Sequence, residues 1–346
     1  MITKRHDENK LSSRSTGSVT LDDVARVAGV SPITVSRAIN RPDIVAQHTL
    51  ESVRLAIERT GYVPNMLAGG LASKSSKMIA AVIPTLENSV FAETVQALTD
   101  SLWDAGYQLL LGTTGYPPQR EETLLSAILS RRPDAMCLTG VIHTPGAQRK
   151  LLAANIPIVE MWDMSNNPMD MIVGFSHENI GISIGEYLCQ KGYRKFAFIS
   201  GNDERGILRL KGFLKAVQKY GIMEKDVDLA FVKVPSNLHR GREGLAQLLD
   251  SGKKPDAVFC NTDLLAHGAM LEAEARGIRI PQDMAFVGFG DLDFAAYTDP
   301  PLTTVYVDRP GIGHMTANLL LDRINGKSID NKIIDVGHKI VERGSA

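Results

Sequence analysis

The chain has 346 residues, 44% hydrophobic and 22% charged, with a net charge of -1. This is a soluble composition, long enough for more than one domain. No apolar run approaches the roughly 20 residues that span a bilayer, so no membrane partner is expected. Cys137, Cys189 and Cys260 lie far apart in apolar sequence. That spacing argues against a disulfide framework or a metal site and fits a reducing cytoplasm.

The balanced charge conceals an asymmetry. Residues 1–77 carry 11 Lys/Arg against 7 Asp/Glu, and the remainder 27 against 32. A basic head on an acidic body suggests that the head meets a polyanion. Residues 1–18, MITKRHDENKLSSRSTGS, are charged and Ser-rich with no hydrophobic stretch behind them. They read as a disordered tail and not as a secretory signal.

Three short helices are predicted next, over residues 19–64. Thr20 caps the first with Asp23 three residues on, and Leu21, Val24, Ala25 and Ala28 form its apolar stripe. Gly29 breaks it. In the second, Ser31 is a capping residue and Pro32 suits the first helical position. Val35, Ala38 and Ile39 fall on one side of that helix, and Ile33, Ser36, Arg37 and Asn40 on another. After the turn-like NRPD, Thr49 is expected to cap a third helix carrying Leu50, Val53 and Ile57, ended by Gly61. Two helices joined through a glycine turn and closed by a third form a helix-turn-helix unit, whose second helix enters the major groove of DNA. The competing reading is a plain surface lobe with Arg37 merely solvated. The tight turn, the positive charge and the polar second face favour DNA.

The segment VTLDDVARVAGVSPITVSRAINRPDIVAQHTLESVRLAIERTGYVPN resembles the DNA-binding head of the lactose-repressor family over some 45 residues without a gap. The resemblance implies that Pro32, Ile33 and Arg37 read bases, while Thr20, Ser31, Thr34, Ser36 and Asn40 position the phosphates. It also assigns residues 65–77, NMLAGGLASKSSK, to the family's hinge, a helix that folds when a dimer grips DNA and wedges into the minor groove. Asn65, Leu71, Ala72 and Lys74 occupy the matching positions. Gly69 and Gly70 each cost about 1 kcal/mol in a helix relative to Ala, so the hinge is expected to be unfolded off DNA. A plain flexible linker is the simpler alternative.

From residue 78 onward, apolar runs alternate with amphipathic helical patterns: MIAAVIP, YQLLLG, DAMCLT and IPIVEMW, then FAFIS, LAFVKV, DAVFCN and MAFVGF. Alternation of this kind implies an α/β body of doubly wound parallel sheets. A weak internal repeat, SRRPDAMCLTG (130–140) against GKKPDAVFCNT (252–262), suggests two similar halves with a ligand cleft at the carboxyl ends of their strands. The sequence contains no G-x-G-x-x-G, Walker loop, H-E-x-x-H or nucleophile elbow. No catalytic residue, cofactor or metal is therefore predicted.

The body, 78–346, is similar to the effector domain of the same family, itself related to periplasmic sugar-binding proteins. The matching segments include AAVIPTLENSVFAETVQAL, AGYQLLLGTT, PDAVFCNTDLLAHGAM, IPQDMAFVGFGDLD and DPPLTTVYVD. In that fold the chain crosses between halves near residues 175, 305 and 335. This gives an N-subdomain of about 78–175 and 306–335 and a C-subdomain of about 176–305 and 336–346. Phe91, Thr139, Asp163, Phe175, Arg205, Arg209, Thr262 and Asp291 match the family's pocket positions. Arg209 aligns with an arginine commonly aimed at the effector, and Arg205, one helical turn earlier, shares its face. Two guanidinium groups near a helix start make an anion site. The alternative for Arg205 is a surface salt bridge to Asp203 or Glu204.

Two departures from the family bear on the ligand. Gly290, in GFGD, stands where many sugar-responsive members carry a carboxylate. Ser236 stands where several place a stacking aromatic, a role that Phe175 or Trp162 could take. The segments LENSVFAE, IHTP, DER and VGF most resemble the gluconate-operon repressor branch. The expectation is a cytoplasmic homodimeric repressor that leaves a palindromic operator DNA when a small sugar acid binds the cleft. The other readings are a solute-binding protein, a sugar-acid enzyme, or a family member answering to a neutral sugar or a corepressor.

Overall fold

The computed structural model describes residues 19–63, 75–87, 89–115 and 118–346. The predicted tail and the hinge positions Asn65, Leu71, Ala72 and Lys74 lie outside the described residues. The chain divides into two compact units, Met1–Ser76 and Lys77–Ala346.

In the first unit, α1 (Leu21–Ala28), α2 (Pro32–Asn40) and α3 (Gln47–Thr60) follow one another. Thr20 and Asp23 form a reciprocal capping box, with the Thr20 amide donating to Asp23 Oδ2 at 3.0 Å. Gly29 ends α1 at φ 69, a left-handed conformation that a β-carbon disfavours. The Thr34 amide donates to Ser31 Oγ at 3.2 Å, capping α2, and Pro32 opens it. The third helix departs from expectation. It begins at Gln47 with Ala46 at the cap position, and Thr49 lies inside its first turn, its hydroxyl 3.1 Å from His48 Nε2. A short 3-10 turn over Pro42–Ile44 brings the chain round early enough for the helix to start three residues sooner. Val24, Ala25, Val35, Val53 and Ala56 form the buried core of this unit.

The second unit has two lobes. In the first, β1 (Met78–Ile83), α4 (Ala92–Asp104), β2 (Gln108–Thr113), α5 (Pro118–Leu129), β3 (Ala135–Thr139), α6 (Pro145–Ala154), β4 (Ile158–Met161) and β5 (Met171–Gly174) alternate. In the second come α7 (His177–Gln190), β6 (Phe196–Gly201), α8 (Glu204–Gln218), β7 (Asp228–Val232), α9 (Leu238–Asp250), β8 (Ala257–Cys260), α10 (Asp263–Ala275) and β9 (Ala285–Val287). The chain then adds β10 (Thr304–Tyr306), α11 (Arg309–Ile324), β11 (Ile333–Asp335) and β12 (Lys339–Val341).

The strands order as β11-β5-β4-β3-β1-β2 and β7-β6-β8-β9, with a small β10-β12 pair. Every pairing in the two larger sheets is parallel, as buried Val/Ile/Ala-rich strands joined by crossover helices require. The internal repeat has a structural meaning. Its two copies lead into β3 and β8, each of which pairs with the first strand of its own lobe. β11 returns to β5 in the first lobe. Thr303, just before β10, bridges to Val287 of β9 in the second.

Helices within a lobe pack through glycine. A β-carbon at Gly181 of α7 would strike the Arg209 carbonyl oxygen, and one at Gly212 of α8 would strike that of Glu178. This close approach packs the first turns of α7 against the middle of α8.

Candidate functional site

The DNA-facing candidate lies on α2. Val35 is fully buried while Ile33, two residues earlier, is 64% exposed. Helical spacing thus splits one short segment into a core side and an open side. Pro32, Ile33, Arg37 and Asn40 are exposed, and Thr34 and Ser36 are half-buried. Asn40 Nδ2 donates to the Ser36 carbonyl at 2.9 Å, and the Ser31 and Thr34 hydroxyls lie 2.9 Å apart. A branched apolar side chain in the first turn of α2 is thus followed one turn later by a guanidinium, flanked by small hydroxyl and amide groups. Such a surface offers contact to thymine methyls and a donor fork to guanine edges.

In the body, the cleft between the lobes holds two adjoining chambers. The inner one, about 40 Å³, is lined by Phe91, Trp162, His177, Arg205, Arg209 and Thr262 together with Asn261 and Phe289. Arg209, 4% exposed, is held on three sides. Its Nε donates to Asn261 Oδ1 at 2.5 Å, its Nη1 to His177 Nδ1 at 3.2 Å, and its guanidinium lies 4.0 Å from the Phe289 ring centre. Burial, joined by the nearby Arg205 charge, lowers its pKa to about 10, which leaves it charged at neutral pH.

Burial, and then the charges of Arg209 and Arg205, hold His177 well below its usual 6.5, so this ring is neutral. Because Nδ1 accepts from Arg209, Nε2 carries the proton and donates to the Trp162 carbonyl at 3.0 Å. Trp162 itself adopts φ 65, an unfavourable backbone for a residue with a β-carbon. Its amide donates to the Val173 carbonyl at 3.2 Å and its Nε1 to Thr94 Oγ1 at 3.1 Å, which fixes it there.

Arg205 crosses the cleft, donating from Nη2 to the Thr139 carbonyl at 3.2 Å, and its buried Nε has no hydrogen-bond partner among the described residues. The predicted alternative of an ion pair with Asp203 does not form. Asp203 instead caps α8, its Oδ1 accepting from the Gly206 amide at 3.1 Å.

Two profiles match the sequence: bacterial regulatory proteins of the lacI family over residues 20–65, and a periplasmic binding protein-like domain over 186–346. The HTH-type transcriptional regulator GntR of Pseudomonas aeruginosa is 38% identical over 346 residues, covering 100% of both chains. The chain belongs to the LacI family of bacterial transcriptional regulators. Among solved structures, a LacI-family regulator from Silicibacter pomeroyi aligns with a TM-score of 0.89 at 31% identity, over 94% of this chain and 99% of that one. The lac repressor dimer bound to operator and the anti-inducer ONPF aligns with a TM-score of 0.79 at 26% identity, over 95% and 99%. This LacI-family protein is a DNA-binding transcriptional repressor, and its relatives are regulators and not enzymes.

The pocket positions expected for a LacI-family member separate into three groups. Phe91, Arg205, Arg209 and Thr262 line the inner chamber, where Thr262 also caps α10, its Oγ1 accepting from the Leu265 amide at 3.2 Å. Thr139 and Asp163 line the outer chamber, about 510 Å³, which shares Asp203 and Arg205 with the inner one. The other two face elsewhere. Phe175 is fully buried behind the wall, edge-on to Trp162 and His177 at 5.7 and 5.0 Å. The Asp291 carboxylate accepts from Arg343 Nη2 at 2.7 Å and lies outside the residues lining both chambers.

Sequence reasoning passed over several lining residues, among them three polar ones of the inner chamber. His177 belongs to no sequence motif, although it sits where the chain leaves β5. Asn261 directly precedes Thr262 at the end of β8, and the same after-strand rule would have found it. Asp203 appeared only as a salt-bridge partner for Arg205. Among the described residues no group of His, Cys, Asp and Glu is placed to hold a metal ion, and no helix is long and apolar enough to cross a membrane.

Proposed function

We propose that this repressor controls genes for using a sugar acid of the gluconate type and leaves its operator when that acid binds the cleft. The observation that carries the reading is the Arg205–Arg209 pair in the inner chamber. Arg209 has two of its three nitrogens engaged and Arg205 has a buried nitrogen without a partner, so both retain donor capacity toward a ligand. Charge-assisted bonds to a carboxylate are the strong ones, and a buried unpaired donor is costly until something accepts from it. Gly290, where many sugar-responsive family members carry a carboxylate, adds no negative charge beside the chamber. A β-carbon there would point between Asp263 and Val90, the latter a lining residue. The name of the Pseudomonas aeruginosa relative, GntR, agrees with this reading.

In this proposal a cytoplasmic homodimer sets its two α2 helices in successive major grooves, roughly 34 Å apart, on a near-palindromic operator. The hinge residues Asn65, Leu71, Ala72 and Lys74 would then meet the minor groove between them. An inducer must bind the DNA-free form more tightly, by the same factor that it weakens operator binding.

Operator selection on the purified protein, followed by gel shift with and without gluconate and related aldonic acids, tests the whole proposal. Weaker operator binding with an acid is expected; tighter binding would overturn the inducer assignment. Calorimetry that found only neutral sugars or a purine bound would overturn the acid.

A further inference from the structure

The two chambers differ in size and in chemical character. At about 40 Å³, the inner one has room for roughly three waters. It is walled by Phe91, Trp162 and Phe289, with Asp203, Ser236, Asn261 and Thr262 among its polar lining, and its strongest donors are the two guanidinium groups. The outer one is about 510 Å³ and carries acceptors. Asp163 lies there, and so does Thr139, whose Oγ1 is buried without a hydrogen-bond partner among the described residues. Glu121 also faces this chamber, already bonded to His143 Nδ1 at 2.6 Å. Arg205 stands in the wall between the two, reaching the Thr139 carbonyl.

We propose that the effector enters acid end first, its carboxylate in the inner chamber on Arg205 and Arg209 and its hydroxyl-bearing tail in the outer chamber against Thr139 and Asp163. This inference rests on the sugar-acid reading and adds the orientation. The reverse pose fails on two counts. A polyol tail of several carbons exceeds the inner volume of about 40 Å³. Its carboxylate would meanwhile face the Asp163 carboxylate in the outer chamber. In the proposed pose the site reads the acid group closely and leaves chain length loosely specified, because the tail end lies in the larger space.

Calorimetry on the full-length protein with gluconate, gluconamide and the seven-carbon glucoheptonate tests the orientation. Gluconamide should bind about 100-fold or more weaker than gluconate, since it presents no charge to the arginines. Glucoheptonate should bind within about 5-fold of gluconate, since the added carbon extends into open volume.

Two variants locate each end of the ligand. Arg205→Gln should shrink the acid-over-amide preference. The near-isosteric Thr139→Val should weaken acid and amide by the same factor, about 5-fold, through a lost tail contact. If the loss of preference appears in Thr139→Val and not in Arg205→Gln, or if glucoheptonate loses more than about 50-fold, the orientation is wrong while the sugar-acid reading survives. If none of the acids binds, the sugar-acid reading itself falls and takes the orientation with it.

Discussion

His143 and His177 are both buried in the body, and their neighbours move them in opposite directions. Burial alone would lower His143. The hydrogen bonds and charges of Glu121, 2.6 Å from Nδ1, and Glu160, 3.4 Å from Nε2, outweigh it and raise the ring to about 9. His177 has two arginines in place of two glutamates and stays neutral. The folded protein thus holds a proton on His143 between pH 6.5 and 9 that the unfolded chain has released. The stability that this ion cluster contributes is fully present below about pH 6.5 and is lost as pH rises through about 9. The shift caps the effect at roughly 3 kcal/mol, and little screening applies because the ring is 2% exposed. His177 acts the other way, costing stability as pH falls below about 6.5. Thermal unfolding of the body should therefore occur at falling temperature from pH 6.5 to 9, and His143→Gln should flatten that slope. An unchanged slope in the variant would show that His143 does not carry it.

The crossing of α7 and α8 links this local chemistry to a whole element. Gly181 and Gly212 let the two helices approach until each backbone meets the other's carbonyls. Arg205 and Arg209 stand on α8, and His177 opens α7. Gly181→Ala has to push α8 outward, at a cost of about 1–3 kcal/mol for an overpacked contact. The same shift moves Arg209 away from His177 and Asn261. We expect the variant to lose effector affinity at temperatures well below its lowered Tm. A lower Tm with affinity intact would separate the helix contact from the site.

The elements differ in how legible they are in the sequence. The eight expected strands were readable because each is an apolar run, six of them buried on both faces and the edge strands β2 and β7 partly open. Met171–Gly174 is equally apolar and buried and was passed over; the three-residue strands β10 to β12 carry no such run and exist because neighbouring strands offer them a ladder. The start of α3 moved because a 3-10 turn, and not a capping side chain, sets it. For the site, Arg209 was visible through its alignment. The neutrality of His177 and the turn of Asp291 toward Arg343 depend on contacts between residues far apart in the chain, which no local pattern encodes.

At the scale of the molecule, the head and the body are separate compact units with separate cores. The body's lobes are tied by charged or polar donors aimed at backbone carbonyls across the cleft. Arg205 donates to Thr139, His177 to Trp162, and Arg309 Nη2 to Asp291 at 3.2 Å. Two of these three ties involve residues of the inner chamber, so a ligand there acts on the contacts that set the lobe arrangement. A ligand that binds only the folded body adds RT ln(1 + [L]/Kd), about 2.7 kcal/mol at 100 times Kd. The small head core, built on Val24, Ala25, Val35, Val53 and Ala56, gains nothing from that ligand directly. Differential scanning calorimetry in the absence of DNA should therefore resolve a body transition that rises with gluconate and a head transition that does not. Operator DNA should raise the head transition in turn. A single transition moving as one under either ligand would mean that the two units unfold together, and that effector and operator are coupled through a shared core and not through the segment that joins them.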